Sequence, residues 1–226
     1  MGDLVSRVCV VIPAYNVAQM LGSLIVQLRA MGYDTVVVDD GSTDRTAEVA
    51  RASGAAVLSH ETNCGKGRSL RDGFRWGLGQ GYEIFVAMDG DGQHRPSDLP
   101  RLLEPLTHDT VGLVVGDRTG DLRAMPWIRR WTNAILSRWV SRWCGQPVAD
   151  TQCGFRVIRR TVLERITLTT DRYEIESELL VRASRAGFRI ASVPVATVYE
   201  RERSRIHPIT DTLRFFRFVR SLNRTS

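Results

Sequence analysis

Short runs of apolar residues recur along this chain, and most are followed by polar residues and then by a stretch with helical periodicity. These runs predict strands over 7–12, 34–39, 55–59, 82–88, 111–116 and 189–195. The periodic stretches predict helices over 17–31, 43–53, 66–79, 97–106, 122–143, 173–186 and 208–222. Because strands and helices alternate, we expect an α/β fold with a mainly parallel sheet flanked by helices.

The segment 145–170 departs from this alternation. Within it, the residues from Asp150 to Ile158 are expected to form a strand that returns to the edge of the sheet. No apolar run approaches the roughly 18 to 20 residues of a membrane span. Residues 1–7 lack the apolar core of a signal peptide. We therefore expect an unprocessed cytosolic chain.

Composition agrees with one compact folding unit. The chain has 226 residues, of which 43% are hydrophobic and 25% are charged, so it can bury a substantial core. Its cysteines show no paired Cys-x-x-Cys spacing, which favours reduced thiols over disulfides or zinc. They are Cys9, Cys64, Cys144 and Cys153.

Two carboxylates follow the apolar run at 84–88. Asp89 and Asp91 are one residue apart, so both side chains can point to the same side of an extended backbone. Gly90 and Gly92 allow the chain to turn there, and Gln93 adds a neutral oxygen. Hard oxygen ligands of this kind suit Mg²⁺ or Mn²⁺ held against a diphosphate. An isolated Asp-x-Asp is more often a solvated turn than a metal site. The metal-site interpretation therefore depends on the residues at the ends of the neighbouring strands.

Two other predicted strands also end in polar residues. The first ends in Pro13-Ala14-Tyr15-Asn16, and the second in Asp39-Asp40-Gly41-Ser42-Thr43-Asp44. In an open α/β sheet, ligands bind at the carboxyl ends of the strands. Ser42 or Thr43 also fits an N-cap with Asp44 in the first helical turn. A helix cap does not require two adjacent carboxylates such as Asp39 and Asp40. The same segment can therefore cap the helix and also bind a ligand.

With these motifs the chain resembles the inverting family 2 glycosyltransferases of the GT-A fold, and most closely the dolichyl- and polyprenyl-phosphate mannose or hexose synthases. The resemblance spans residues 7 to about 210. Val17 stands where that family often has glutamate. The matching segments are Ile12–Asn16, Asp39–Asp44, Asn63–Gly67, Asp89–His94, Gly116–Arg118, Asp150–Arg156 and Arg203–Arg205.

The resemblance implies a nucleotide-sugar donor and a divalent metal. Its metal residues would be Asp89, Asp91 and Gln93, and the metal would neutralise the departing diphosphate. The nucleotide-sugar contacts implied by the resemblance are Pro13, Ala14, Tyr15, Asp40, Lys66 and Asp89. Arg203 and Arg205 would close over the diphosphate as a basic lid, although a solvated charge run is the alternative.

Positive charge is concentrated in the second half of the chain. Residues 1–117 carry nine arginines and Lys66 against fifteen acids, a net −5. Residues 118–226 carry twenty-one arginines against ten acids, a net +11. Arginine binds phosphate in a bidentate way. Because the sequence has no nucleic-acid-binding motif, lipid phosphate and membrane headgroups fit better than nucleic acid.

Two segments are candidates for contact with a membrane surface. Four of the five tryptophans lie between Trp127 and Trp143, interleaved with arginines, which suits the membrane–water boundary. A large amphipathic helix packed on the sheet is the alternative. The segment Pro208–Leu222 has an apolar side and several arginines, so it can lie on an anionic bilayer or pack on the protein. We therefore divide the chain into a catalytic domain, 1–207, and a basic C-terminal helix and tail, 208–226.

The acceptor decides whether a general base is needed. A hydroxyl acceptor must lose a proton, and Asp150 is the candidate base. A lipid phosphate is already an anion, so orientation and charge compensation by Arg118 and Arg130 suffice, and Asp150 would help position the acceptor or sugar. Side chains that can shape the sugar or acceptor pocket are Gln152, Glu176 and Glu178, although acids on a helix surface are more often solvated.

The sequence thus predicts a Mg²⁺- or Mn²⁺-dependent inverting enzyme that moves a hexose from a GDP- or UDP-sugar to a polyprenyl phosphate. It would act as a peripheral protein on the cytoplasmic face of the membrane, alone or recruited by a separate membrane-anchor subunit. A hydroxyl acceptor on the same fold is the nearest alternative. A sugar nucleotidyltransferase fits less well, because Pro13-Ala14-Tyr15-Asn16 is not a glycine-rich phosphate loop. A membrane adaptor without catalysis would have no use for the paired carboxylates.

Overall fold

Seven strands form one mixed sheet in the computed structural model. The model describes residues 8–120 and 127–196, and for residues 127–132 it describes the backbone alone. The strands are β1 (Val8–Ala14), β2 (Asp34–Asp39), β3 (Ala56–Ser59), β4 (Ile84–Ala87), β5 (Val111–Asp117), β6 (Arg156–Arg159) and β7 (Arg189–Pro194). Their order in the sheet is β3-β2-β1-β4-β6-β5-β7. Apart from β6, neighbouring strands pair in parallel, which confirms the predicted mainly parallel sheet.

The strand β6 corrects one prediction. It was expected at the edge of the sheet, but it lies between β4 and β5 and runs antiparallel to both. Because β6 runs in the opposite direction, its first residue, Arg156, lies at the end where β4 and β5 finish, opposite Ala87 and Val115. The segment 150–155 is therefore delivered to the carboxyl edge of the parallel strands.

Several helices bury one face against this sheet. In α1 (Ala18–Ala30), four residues at helical spacing are buried, namely Leu21, Leu24, Ile25 and Leu28. The strands β1, β2, β4 and β5 are almost fully apolar and buried, as expected for parallel strands covered on both faces. The helices are α1 (Ala18–Ala30), α2 (Thr46–Ala52), α3 (Lys66–Gly79), α4 (Leu99–Leu103), α5 (Trp127–Cys144), α6 (Arg160–Arg165) and α7 (Ile175–Arg185).

Several helix boundaries differ from the predictions for local reasons. The helix expected over 97–106 is a short α4 between two 3₁₀ turns, Pro96–Asp98 and Glu104–Thr107, because prolines there remove helical N–H donors. The short helix α6 was not predicted. The capping prediction was wrong, since α2 begins at Thr46 with Arg45 at the N-cap position. Ser42 instead accepts the backbone N–H of Asn16.

Within the described residues, the helices are too short or too polar to span a bilayer. The predicted helix 208–222, Arg203 and Arg205 lie outside the described residues, as does the side chain of Arg130.

Candidate active site

Polar residues gather at the carboxyl edge of the sheet, where β1, β2 and β4 end side by side. Ala14 at the end of β1 pairs with Asp39 at the end of β2. On the other side of β1, Val11 pairs with Ala87, two residues before Asp89. Pro13 and Tyr15 are half-buried at this edge, and Ala14 is buried. The strand ends that were predicted to form the site are therefore adjacent in space.

Lys66, the first residue of α3, lies between two carboxylates. Its Nζ is 2.6 Å from Asp89 Oδ1 and 2.6 Å from Glu176 Oε1 on α7. Burial disfavours the ammonium, but the two carboxylates outweigh it and raise the pKa of Lys66. Burial likewise disfavours the Asp89 carboxylate, and Lys66 and His94 outweigh it, holding the pKa of Asp89 well below its usual range. We call Lys66, Asp89 and Glu176 the lysine hub.

The lysine hub explains why residue 154, in the segment 150–156, is a glycine. A Cβ added to Gly154 would lie 2.4 Å from Asp89 Oδ2 and 3.0 Å from Lys66 Nζ. Because such a contact is shorter than van der Waals distance, any side chain here must displace Asp89 or the backbone. The glycine is therefore required by close approach of the chain to the hub.

We expect Gly154→Ala to destabilise the protein by about 1–3 kcal/mol, the usual cost of overpacking, and to lower transfer because Asp89 is displaced. Thermal denaturation and transfer kinetics measure the two effects. The matched control is Gly120→Ala, since a Cβ there meets nothing within 4 Å. Equal stability and activity of the two variants would contradict the proposed contact.

Asp91 is the carboxylate of this edge that is best placed to hold a cation. Its Oδ1 accepts the backbone N–H of Gln93 at 3.0 Å, across a turn that Gly92 permits with a φ of 75°. Burial and, next, the charge of Asp89 raise the pKa of Asp91. A bound cation would offset both the burial of Asp91 and the repulsion from Asp89. Asp91 and Gln93 each offer a hard oxygen atom as a metal ligand. The residues present therefore fit Mg²⁺ or Mn²⁺.

His94 adds a buried imidazole next to these carboxylates. Its Nε2 is 3.7 Å from Asp89 Oδ2, and its ring packs on Phe155 with centroids 5.2 Å apart. Among the described residues its Nδ1 has no hydrogen-bond partner. His94 was noted only as part of a motif, because a single histidine in a sequence gives no sign of its burial.

Arg118 and Asp150, which were predicted to act separately, form a bidentate ion pair. Arg118 Nε donates to Asp150 Oδ2 at 2.7 Å, and Nη2 donates to Oδ1 at 3.0 Å. The Gln152 backbone N–H also donates to Asp150 Oδ1. Burial acts against the guanidinium, but Asp150 dominates and raises the pKa of Arg118. The charge of Arg118 also interacts with Glu176, so this pair and the lysine hub belong to one charged cluster.

A second arginine, Arg156, is fully buried beneath this cluster. Its guanidinium donates to three backbone carbonyls, those of Cys153, Thr151 and Glu176. Burial lowers the pKa of Arg156. The side chain thus ties the segment 151–153 to the start of α7. It was not predicted as a site residue, because a charged residue in a strand is normally assigned to the surface.

Asp40 organises the loop that precedes α3. Its Oδ1 accepts the Cys64 backbone N–H and its Oδ2 accepts the Gly65 N–H, both at 2.8 Å. His60 Nδ1 is also 2.8 Å from Oδ1. The carboxylate therefore fixes the chain immediately before Lys66. Its predicted contact with a nucleotide stays a prediction.

Two other predicted pocket residues have protein partners. Glu178 is fully buried and accepts the backbone N–H and hydroxyl groups of Thr169 and Thr170, besides pairing with Arg182. Burial would raise the pKa of Glu178, but these hydrogen bonds lower it. Glu178 thus holds the loop that contacts the start of α3. Gln152 is half-buried, and its amide donates to Thr151 Oγ1 at 3.3 Å.

The helix α5 forms an outer wall next to the Arg118–Asp150 pair. Ser137 on α5 accepts the Thr151 backbone N–H, one residue after Asp150. Ile135 and Trp139 on the other face are each 53% exposed, and Arg138 and Arg142 are exposed beside them. The described part of α5 therefore presents a mixed apolar and basic surface to solvent, which we call the α5 outer face.

Acidic and basic groups at the carboxyl edge of a mainly parallel sheet, beside a site suited to a divalent cation, are features expected of a glycosyltransferase of the GT-A fold. Residues 9–167 match the sequence model of glycosyl transferase family 2, and the chain belongs to this family.

Its relatives include enzymes named for lipid phosphates. The chain is 35% identical over 212 residues to an undecaprenyl-phosphate mannosyltransferase of Micrococcus luteus, covering 87% of this chain and 85% of that protein. It is 30% identical over 212 residues to a UDP-N-acetylglucosamine–dolichyl-phosphate N-acetylglucosaminyltransferase of Methanococcus voltae, covering 84% of each.

Among solved structures, glucosyl-3-phosphoglycerate synthase of Mycobacterium tuberculosis with Mg²⁺ and UDP is similar, with a TM-score of 0.71 and 26% identity. This match covers 92% of this chain and 74% of that one.

Proposed function

We propose that this glycosyltransferase moves a hexose from a GDP- or UDP-sugar to a polyprenyl phosphate, with inversion at the sugar. The observation that carries the acceptor assignment is the state of Asp150. Both of its oxygens accept hydrogen bonds from Arg118, and its side chain is 2% exposed. A carboxylate so occupied is poorly placed to take a proton from a hydroxyl. A lipid phosphate needs no general base.

The donor would bind at the carboxyl edge of β1, β2 and β4. The proposed nucleotide contacts are Pro13, Ala14, Tyr15 and Asp40, with Arg203 and Arg205 closing over the diphosphate. Asp91 and Gln93 would hold Mg²⁺ or Mn²⁺, which when bound supplies Lewis-acid stabilisation of the departing diphosphate. Support comes from the solved relative that contains Mg²⁺ and UDP.

In this proposal Asp89 acts mainly through the lysine hub. Because Lys66 binds its Oδ1, Asp89 stays ionised and fixed beside Asp91. Lys66 would then influence the donor site by positioning Asp89 and Glu176 as well as by its charge. The proposed sugar pocket accordingly includes Glu176 and Gln152, whereas the hydrogen bonds of Glu178 give it a role in holding the loop 169–170.

The acceptor phosphate would approach Arg118 and Arg130 from the side of α5. The α5 outer face supports this, since exposed tryptophan with arginine is suited to the membrane–water interface. The alternative for α5, a large amphipathic helix that covers the sheet, does not by itself account for the exposure of Trp139. We therefore propose peripheral attachment to an anionic cytoplasmic membrane surface, with or without a separate anchor subunit.

The proposal is tested with labelled GDP- and UDP-sugars and polyprenyl phosphate in detergent. We expect one donor to yield a product that partitions into organic solvent. Label that reaches only water-soluble acceptors would support a hydroxyl acceptor instead. Formation of a sugar nucleotide from sugar 1-phosphate and nucleoside triphosphate would support a nucleotidyltransferase. Binding to lipid vesicles without turnover of any sugar donor would support a membrane adaptor without catalytic activity.

Arg118→Lys tests the role of the ion pair without removing its charge. Lysine cannot reproduce the bidentate geometry, so we expect kcat/KM for polyprenyl phosphate to fall about 10- to 100-fold, the equivalent of one or two charge-assisted hydrogen bonds. Binding of the donor, measured by calorimetry, should be unchanged. The control is Arg101→Lys at an exposed position of α4. Loss of donor binding with acceptor kinetics intact would reassign Arg118 to the donor.

A further inference from the structure

An aromatic residue, Tyr173, is exposed beside the lysine hub. It lies in the loop that precedes α7, and it is 38% exposed. The Nζ of Lys66 is 6.0 Å from the centroid of its ring. Within the described part of the chain, the other exposed large hydrophobic residues lie on the α5 outer face or on α1. Tyr173 is therefore the exposed aromatic residue that a ligand bound beside the lysine hub can reach.

The loop that carries Tyr173 packs closely on the start of α3. A Cβ added to Gly65 would collide with the carbonyl oxygen of Asp171, and one added to Gly67 would collide with that of Thr170. Glycine at both positions thus allows the two backbones to touch. Because Lys66 lies between these glycines, the loop and the hub lysine are held in a fixed relation.

The beginning of the same loop is fixed by Glu178. This buried carboxylate accepts the backbone N–H groups of Thr169 and Thr170 at 3.0 and 2.9 Å. A loop that is held both by α3 and by Glu178 presents its tyrosine in one position. An aromatic ring fixed in this way loses little conformational entropy when a ligand binds to it.

The chemistry of the donor brings the hexose to this place. In the proposed function the diphosphate lies beside Asp91, and the hexose is bonded directly to that diphosphate. Asp89, next to Asp91, binds Lys66, and Lys66 approaches the ring of Tyr173. A pyranose carries polarised C–H groups on its faces and hydroxyl groups at its rim. The face of an aromatic ring is electron-rich and therefore attracts such C–H groups.

We propose that Tyr173 stacks on an apolar face of the donor hexose and is a sugar-binding residue of this enzyme. Glu176 of the lysine hub would then contact the hydroxyl rim of the same sugar. The inference rests on the proposed function, since it requires a sugar nucleotide at the carboxyl edge of the sheet. It assigns part of the donor affinity to the sugar itself, independently of the nucleotide.

Calorimetry with GDP- and UDP-hexoses, and with GDP and UDP alone, separates the sugar contact from the nucleotide contacts. For the sugar nucleotide that the wild type binds in the presence of Mg²⁺, we expect Tyr173→Ala to weaken binding about 3- to 10-fold, the scale of one aromatic contact. The affinity for the matching nucleoside diphosphate should not change. Saturation-transfer NMR should also show weaker transfer from the protein to the C–H protons of the hexose.

Two further substitutions at the same position test what is recognised. Tyr173→Phe keeps the ring face and should bind the sugar nucleotide like the wild type. Tyr173→Leu keeps apolar bulk without a ring face, so it should resemble Tyr173→Ala. Val26→Ala, which removes an exposed apolar side chain from α1, is the control for a general surface effect. Because Tyr173 is exposed, these variants should fold, and their thermal midpoints verify this.

The outcomes distinguish this inference from the proposed function. Equal affinity of wild type and Tyr173→Ala for a sugar nucleotide would overturn the inference and leave the proposed function intact. A parallel loss of GDP or UDP binding would also overturn it, because the tyrosine would then act by positioning Lys66 and Asp89. A wild-type protein that binds neither a GDP-hexose nor a UDP-hexose would overturn the proposed donor, and this inference with it.

Discussion

Replacing Asp91 with asparagine is expected to lower sugar transfer at least about 100-fold, the scale seen when one electrostatic contact to a developing charge is lost. Asparagine keeps the size of the side chain but removes the charge that would hold Mg²⁺ or Mn²⁺ beside the diphosphate. Transfer kinetics with each metal would measure the loss. The control is Asp109→Asn, an exposed carboxylate in the turn before β5.

The same substitution should not destabilise the fold. Burial and Asp89 raise the pKa of Asp91 above its unfolded value, so ionisation of Asp91 costs stability. This cost develops as pH rises from the unfolded pKa through the folded one, and it is fully present above the folded pKa. Asp91→Asn removes it, and its thermal midpoint at pH 7 should equal or exceed that of the wild type. A variant that is both stable and fully active would remove Asp91 from the mechanism.

Much of the sheet and its functional edge could be predicted from the sequence, because a buried parallel strand is a continuous apolar run that polar residues interrupt only where it ends. Asp39, Asp89 and Asp91 were located in this way. The position of β6 could not be predicted. Its four residues have no periodicity that selects a neighbour, and its place between β4 and β5 is decided by contacts made across the whole domain.

The pairing of charged groups within the site was equally invisible in the sequence. Lys66 and Glu176 are 110 residues apart in sequence, and Arg118 and Asp150 are 32 apart. The sequence identified these as chemically active residues, but it assigned Arg118 and Asp150 to separate tasks. Only the fold shows that Arg118 occupies both oxygens of Asp150. A carboxylate so occupied is a poor general base, which favours an acceptor that is already an anion.

Replacing Lys66 with methionine is expected to cost about 3–5 kcal/mol of stability, the usual effect of removing one partner from a buried ion pair. Methionine fills nearly the same space, so the loss reports charge and not packing. Asp89 and Glu176 would be left without their shared cation, close to His94 and Asp91. Transfer should fall as well, because Asp89 loses the contact that fixes it.

The pH dependence gives this prediction its sharpest test. In the wild type the lowered pKa of Asp89 means that its stabilising contribution is present above the unfolded pKa of about 4 and is lost only as pH falls through the folded one. Without Lys66, Asp89 would lose its largest favourable interaction and keep only that with His94, so its folded pKa would rise and its ionisation would contribute less stability at neutral pH. The gap in thermal midpoint between wild type and Lys66→Met should therefore be widest near pH 7 and narrow towards pH 4. The control, Arg101→Met, removes an exposed cation on α4 and should show a small gap with little dependence on pH. A constant gap for Lys66→Met would mean that packing, and not the lysine hub, accounts for its stability.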